Sequence, residues 1–165
     1  MLSEQVLNSL NNQIALEQYS SNLYMSAGSW CSTNGYEGSA KFLIGHAKEE
    51  LAHMGKLFSY VLETGAQAVL DKVDKPKSEW SSLKEVFEET LAHELKVTES
   101  INKLVSQCFE SGDYSSFNTL QWYVAEQHEE EALFRGILDK FKLIGDDPRG
   151  LLMVDREIGH AGGKG

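Results

Sequence analysis

The segment Glu50-Leu51-Ala52-His53 sets a carboxylate and an imidazole three residues apart. On a helix, residues i and i+3 project from one face, so both side chains can reach one ion. A hard carboxylate oxygen beside an imidazole nitrogen suits iron or manganese. Glu17, Glu94 and Glu130 each lie near the middle of a segment whose apolar residues recur with helical period, and each falls on the apolar side. Gln127 stands one turn before Glu130 on that side. A buried unpaired carboxylate is costly, and four together repel one another. Either these acids are protonated or multivalent cations neutralise them. Four carboxylates with few histidines can hold two divalent ions, with Glu50 as a bridge and Glu130 as a second candidate for that role.

Glycine and proline punctuation supplies the elements that must position these groups. Helices are predicted over 4–33, 36–63, 82–111, 113–143 and 149–158. Asn34-Gly35 and Gly112 break the pattern tightly, and Gly65 suits a helix C-terminal cap. Ser81 or Ser82 can cap the third helix and Asp113 the fourth. Asp146-Asp147-Pro148 reads as a further helix start, because proline fits a first turn. The residues from 159 to 165 read as a flexible tail.

The apolar stripes can be written residue by residue. Val6, Leu10, Ile14, Tyr24 and Cys31 flank Glu17, while Leu43, Ala47, Met54, Leu57 and Val61 flank Glu50. Phe87, Leu91, Ile101, Val105 and Phe109 surround Glu94, and Tyr123, Phe134, Ile137 and Phe141 surround Glu130. The stretch from Ala66 to Trp80 has no periodicity. At about 3.3 Å per residue it can cover the length of a long helix. It therefore reads as a crossover along a four-helix bundle, and the whole chain as one all-α domain, 1–165.

A length of 165 residues, 41% of them hydrophobic, with only two prolines, excludes a disordered chain and allows a substantial core. The net charge of −10 argues against a nucleic-acid partner and favours cations. The N-terminus lacks a basic region followed by an apolar run, and nowhere do the ~18–20 consecutive apolar residues of a membrane span occur. Cys31 and Cys108 form no C-x-x-C pair, read as core residues, and fit a cytoplasmic location.

Three blocks carry a family resemblance: Leu16 to Tyr24 (LEQYSSNLY), His46 to Met54 (HAKEELAHM) and Phe117 to Glu131 (FNTLQWYVAEQHEEE). In order and spacing they make the chain resemble the bacterial non-haem ferritins over nearly its whole length. The resemblance implies a ferritin-like four-helix bundle with one long crossover and a short fifth C-terminal helix. It implies an iron held by Glu17, Glu50 and His53, and a second held by Glu50, Glu94 and Glu130. Gln127 would lie beside this pair, and Tyr24 would be a hydrogen-bonding or redox-active neighbour. A third iron site would use Glu49, Glu126, Glu129 and Glu130, although Glu126 and Glu129 also fit a solvated acidic face.

The activity so implied is Fe²⁺ oxidation by O₂ or H₂O₂, with ferric oxo-hydroxide stored inside a homo-oligomeric shell of 24 subunits. Haem is not expected. The haem-containing bacterioferritins carry a second E-x-x-H in the fourth helix, whereas Gln127 is followed three residues on by Glu130. Leu51 also occupies the place of their haem-ligating methionine. Rubrerythrin-like proteins would add a cysteine-pair iron domain, which this sequence lacks. Two rivals remain at this stage: a di-metal enzyme acting on a small substrate, and a shell subunit that stores iron without oxidising it.

The remaining conspicuous residues read more plainly. His46, one turn before Glu50, suits a hydrogen-bonded core position. His93 and His128 read as surface or interface residues, Trp122 as packing, and Met25, Met54 and Met153 as core or interface fillers.

Overall fold

The computed structural model describes residues 2–145 and 147–161. Four long helices, α1 (Glu4–Thr33), α2 (Glu37–Glu63), α3 (Leu83–Glu110) and α4 (Tyr114–Ile144), are followed by the shorter α5 (Pro148–Ala161). The chain thus forms the expected all-α bundle with one long crossover and a short fifth helix. The last helix starts one residue earlier than expected and runs through Gly159 to Ala161, which had been assigned to the tail. Residues 162–165 of that tail lie outside the described residues, as do Met1 and Asp146.

Local chemistry sets the helix ends. The hydroxyl of Ser3 accepts the N–H of Val6, that of Ser82 accepts Glu85 N–H, and the Asp113 carboxylate accepts Ser116 N–H. The two tight hairpins turn at Gly35 and Gly112, whose φ values of +84° and +71° suit a residue without a Cβ. The crossover runs beside α1 in the same direction. Asn11 Oδ1 accepts Val69 N–H at 3.1 Å, and the Ser26 hydroxyl donates to the Lys77 carbonyl at 2.7 Å.

The apolar core falls into two halves. One end of the bundle packs Val6, Leu10 and Ile14 of α1 with Leu57 and Val61 of α2, Val97 to Cys108 of α3, and Leu120 and Tyr123 of α4. The other end packs Leu23 to Cys31 with Ala40 to Ala47, Leu83 to Phe87, and Phe134 to Phe141. Each long helix therefore passes from one half to the other, α1 and α4 in one sense and α2 and α3 in the opposite sense. Between the halves lies a buried polar layer containing Glu17, Ser20, Glu50, His53, Thr90, His93, Glu94, Gln127 and Glu130.

Two sequence assignments are corrected by burial. Phe109, placed on the α3 stripe, is exposed, and Leu104 and Cys108 take the core positions there. Met25 and Met153 are exposed in the single chain, which leaves the interface half of their reading standing. His93, assigned to the surface, is buried, because α1 covers that side of α3 and Ser20 supplies a partner.

Helix α5 docks mainly on the start of α2. Tyr36, at the N-cap of α2, makes no side-chain cap. Asp155 of α5 supplies it instead, accepting Ser39 N–H at 2.8 Å and Gly38 N–H at 3.1 Å. A Cβ on Gly38 would stand 2.0 Å from the Asp155 carbonyl oxygen, so this approach requires glycine. No helix among the described residues is long and apolar enough to cross a membrane.

Candidate metal centre

The polar layer contains one glutamate from each long helix: Glu17, Glu50, Glu94 and Glu130, at most 5% exposed. Ligand atoms of Glu17, Glu50 and His53 all lie within 4.8 Å of one another. His53 Nδ1 is 3.6 Å from Glu50 Oε2, the i, i+3 relation foreseen from the sequence. Gln13 donates to Glu17 Oε1 at 2.7 Å, whereas Glu17 Oε2 is buried without a hydrogen-bond partner. An orphaned carboxylate oxygen beside a second carboxylate and an imidazole fits a bound cation, because no donor among the described residues offsets its desolvation.

Glu94 and Glu130 are held by other partners. Glu94 accepts hydrogen bonds from the Tyr24 hydroxyl and, at 2.8 Å, from Gln127 Nε2. Glu130 Oε2 lies 2.6 Å from His46 Nε2, and His46 Nδ1 lies 3.5 Å from Glu49 Oε2. His46, Glu49 and Glu130 form a second group with ligand atoms within 4.8 Å of one another.

The expected third-site residues are divided. Glu49 and Glu130 belong to the His46 group, while Glu126 Oε1 lies 3.8 Å from His53 Nε2, and Glu129 is exposed. Desolvation raises the Glu126 carboxyl, His53 opposes this, and Glu130, Glu129 and Glu49 add to it. Those acids are thus electrical neighbours without being gathered at one point.

Electrostatics follow from the burial. The Glu17 carboxyl is pushed well above the usual carboxylate range by desolvation and then by Glu50. Glu50 is raised by desolvation and by Glu94. Glu94 is raised by desolvation even though Tyr24 and Gln127 stabilise its anion. Tyr24 is held protonated by burial and by Glu94. Burial works against a charged His46, but its bond to Glu130 and the surrounding carboxylates raise it to about 9. The layer therefore has more negative charge than it can hold without protons or cations.

Sequence reasoning missed Ser20 and Thr90 of this layer, and with them Gln13 and His93. Gln13 precedes Glu17 by one turn on the same face, and that i, i+4 spacing was a usable signal. His93, whose Nε2 lies 2.7 Å from Ser20 Oγ, was not legible because its cover comes from another helix. Burial, then Lys96, lowers it to about 4. Cys31 and Cys108 are buried, and desolvation raises their thiols to about 12 and about 11, away from reactive thiolate.

The ferritin-like domain family matches residues 7–144. The chain belongs to the ferritin family. The chain is 54% identical over 160 residues to the probable bacterial non-heme ferritin-like protein of Haemophilus influenzae, covering 97% of each chain. It is 51% identical over 158 residues to the bacterial non-heme ferritin of Campylobacter jejuni, covering 96% of this chain and 95% of the other. Among solved structures, the open-pore ferritin of Archaeoglobus fulgidus superposes with a TM-score of 0.94 at 41% identity, covering 96% of this chain and 98% of that one.

Proposed function

We propose that this chain is an iron-storing ferritin subunit that oxidises Fe²⁺ in its own core. The observation that carries the reading is the buried polar layer: four glutamates, one from each long helix, enclosed between two apolar half-cores with His53 beside them. Such a charge concentration is stable only with protons or cations. The oxygen-rich donor set with one imidazole suits iron. The relatives, named as bacterial non-heme ferritins, point the same way.

In this reading Glu17, Glu50 and His53 hold one Fe²⁺ substrate ion, and Glu50, Glu94 and Glu130 the second. Each ion gives one electron to O₂ or H₂O₂. Carboxylate oxygens favour the product Fe³⁺ through stronger charge attraction. Gln127 and Tyr24 orient Glu94 by the hydrogen bonds they already donate to it. Glu49, Glu126, Glu129 and Glu130 take a third iron on its way to the mineral. The chain acts as a single domain in the cytoplasm, in a homo-oligomeric shell of 24 copies with α5 at a subunit junction. Haem has no part in it, on the sequence grounds given above.

Particle mass and Fe²⁺-dependent absorbance near the ultraviolet test the reading together. A particle of 24 times the 18.4 kDa chain mass that oxidises Fe²⁺ rapidly is expected. A stable monomer or dimer at micromolar concentration would instead favour a small-substrate enzyme. A shell without oxidation would leave storage alone.

A further inference from the structure

Trp122 is the aromatic that sits against a candidate iron ligand and also reaches solvent. Its ring packs edge-on to the His53 imidazole at 5.2 Å between centroids, and 37% of the residue is exposed. Indole is a readily oxidised aromatic side chain. An indole in contact with an iron-oxidising centre is therefore at risk. The acids nearby increase that risk, because Glu126, one turn along α4, places a carboxylate 3.8 Å from His53 and would stabilise positive charge in this region.

One feature of the structure opposes this. The Lys56 ammonium, one turn beyond Ala52 on α2, lies over the Trp122 ring, 3.3 Å from its centroid. With a neutral indole the cation is attracted by the electron-rich face. Once the ring loses an electron, that attraction becomes repulsion between two positive charges at contact distance. Even with the screening of bulk water, unit charges that close shift an equilibrium by roughly eightfold.

We infer that Lys56 is a protective cation that keeps Trp122 from being oxidised while iron is oxidised beside it. The inference rests on the iron-oxidation reading above for its purpose, but the charge effect itself does not require iron. The reaction held back begins with removal of one electron from the indole. When peroxide is the oxidant, one of its oxygen atoms is inserted into the ring and the other leaves as water. Among the described residues the Lys56 ammonium is seated on Trp122 and belongs to neither group of candidate ligands, so it is not a catalytic residue.

The test uses the full-length protein, with Lys56→Gln to remove the charge and Lys56→Arg to keep it. In the first arm a photogenerated ruthenium(III) polypyridyl complex oxidises each protein without iron. Peptide mass spectrometry compares oxygen uptake at Trp122 with uptake at Trp30, the internal reference. Oxidation of Trp122 relative to Trp30 should rise about eightfold in Lys56→Gln and return towards the parent level in Lys56→Arg. An unchanged ratio in Lys56→Gln overturns the inference. In the second arm Fe²⁺ and H₂O₂ replace the photo-oxidant. Excess Trp122 oxidation in Lys56→Gln, at an unchanged initial rate of iron oxidation, is expected. Equal Trp122 oxidation in parent and variant, despite a difference in the first arm, overturns the protective role in turnover. A parent protein that oxidises no iron would sink the reading of the metal centre, and the first arm would still decide the charge effect.

Discussion

His46 Nε2 lies 2.6 Å from Glu130 Oε2, joining α2 to α4 inside the polar layer. His46 is also stacked on Phe42, with 4.9 Å between ring centroids, so the imidazole is fixed from two sides. His46→Ala would leave Glu130 buried and without this partner, a loss of about 2 kcal/mol in the protein without iron. Thermal unfolding should report that loss, and iron oxidation should slow because Glu130 is no longer oriented. A variant that matches the parent in both measurements would show that His46 only fills space.

Beyond the effect of burial, Glu50 raises the Glu17 carboxyl and Glu94 raises that of Glu50. Glu50→Ala should abolish rapid Fe²⁺ oxidation by removing the bridge. Its stability without iron should stay within about 2 kcal/mol of the parent, since relief of repulsion offsets the cavity left behind. Initial oxidation rate and thermal midpoint together decide the matter. Oxidation at the parent rate would mean the centre is elsewhere, and failure to fold would make Glu50 structural.

Glu129 is exposed, and its field adds to the burial that raises the Glu126 carboxyl. If it helps to hold a third iron, Glu129→Ala will change the ratio of iron oxidised to oxidant consumed while the paired ions still bind. Titration of Fe²⁺ against O₂ uptake measures that ratio. An unchanged value would return Glu129 to the solvated acidic face.

The contact between α5 and α2 depends on Asp155 and Gly38. Asp155→Ala removes two charge-assisted hydrogen bonds from the start of α2 and should cost about 3 kcal/mol. Gly38→Ala should displace α5 outright, because its Cβ would overlap the Asp155 backbone. Limited proteolysis should then cut before α5 while α1 to α4 stay intact. Parent-like resistance in Gly38→Ala would mean that α5 docks by some other contact.

Glu85 accepts the Ser81 hydroxyl, the Ser81 N–H at 2.6 Å and Lys77 Nζ at 3.0 Å, which ties the end of the crossover to α3. Those bonds, Ser81 first, lower its carboxyl from 4.5 to about 2. A depressed carboxylate stabilises the fold above its unfolded value, and that contribution fades as pH falls from 4.5 towards 2. The thermal midpoint of Glu85→Gln should therefore lie below the parent's at pH values above 4.5, and the gap should narrow as the pH falls through that range. A gap independent of pH would assign the effect to packing rather than charge.

The sequence alone determined the elements and most of the candidate ligands. Helical periodicity makes four amphipathic segments, and glutamates in the middle of apolar stripes stand out because burying a charge is so unfavourable. Glu17, Glu50, His53, Glu94, Gln127 and Glu130 were all legible in this way, since each helix announces its own buried face. What periodicity could not give is what faces that side from another helix. His93 is buried because α1 is set over that side of α3, a cover that the spacing of α3 alone does not reveal. The pairing of His46 with Glu130, the Asp155 cap on α2 and the seat of Lys56 over Trp122 likewise join residues from different helices or distant turns. Only tertiary packing decides such contacts, because bundle geometry and not local spacing sets the distance between two helix faces.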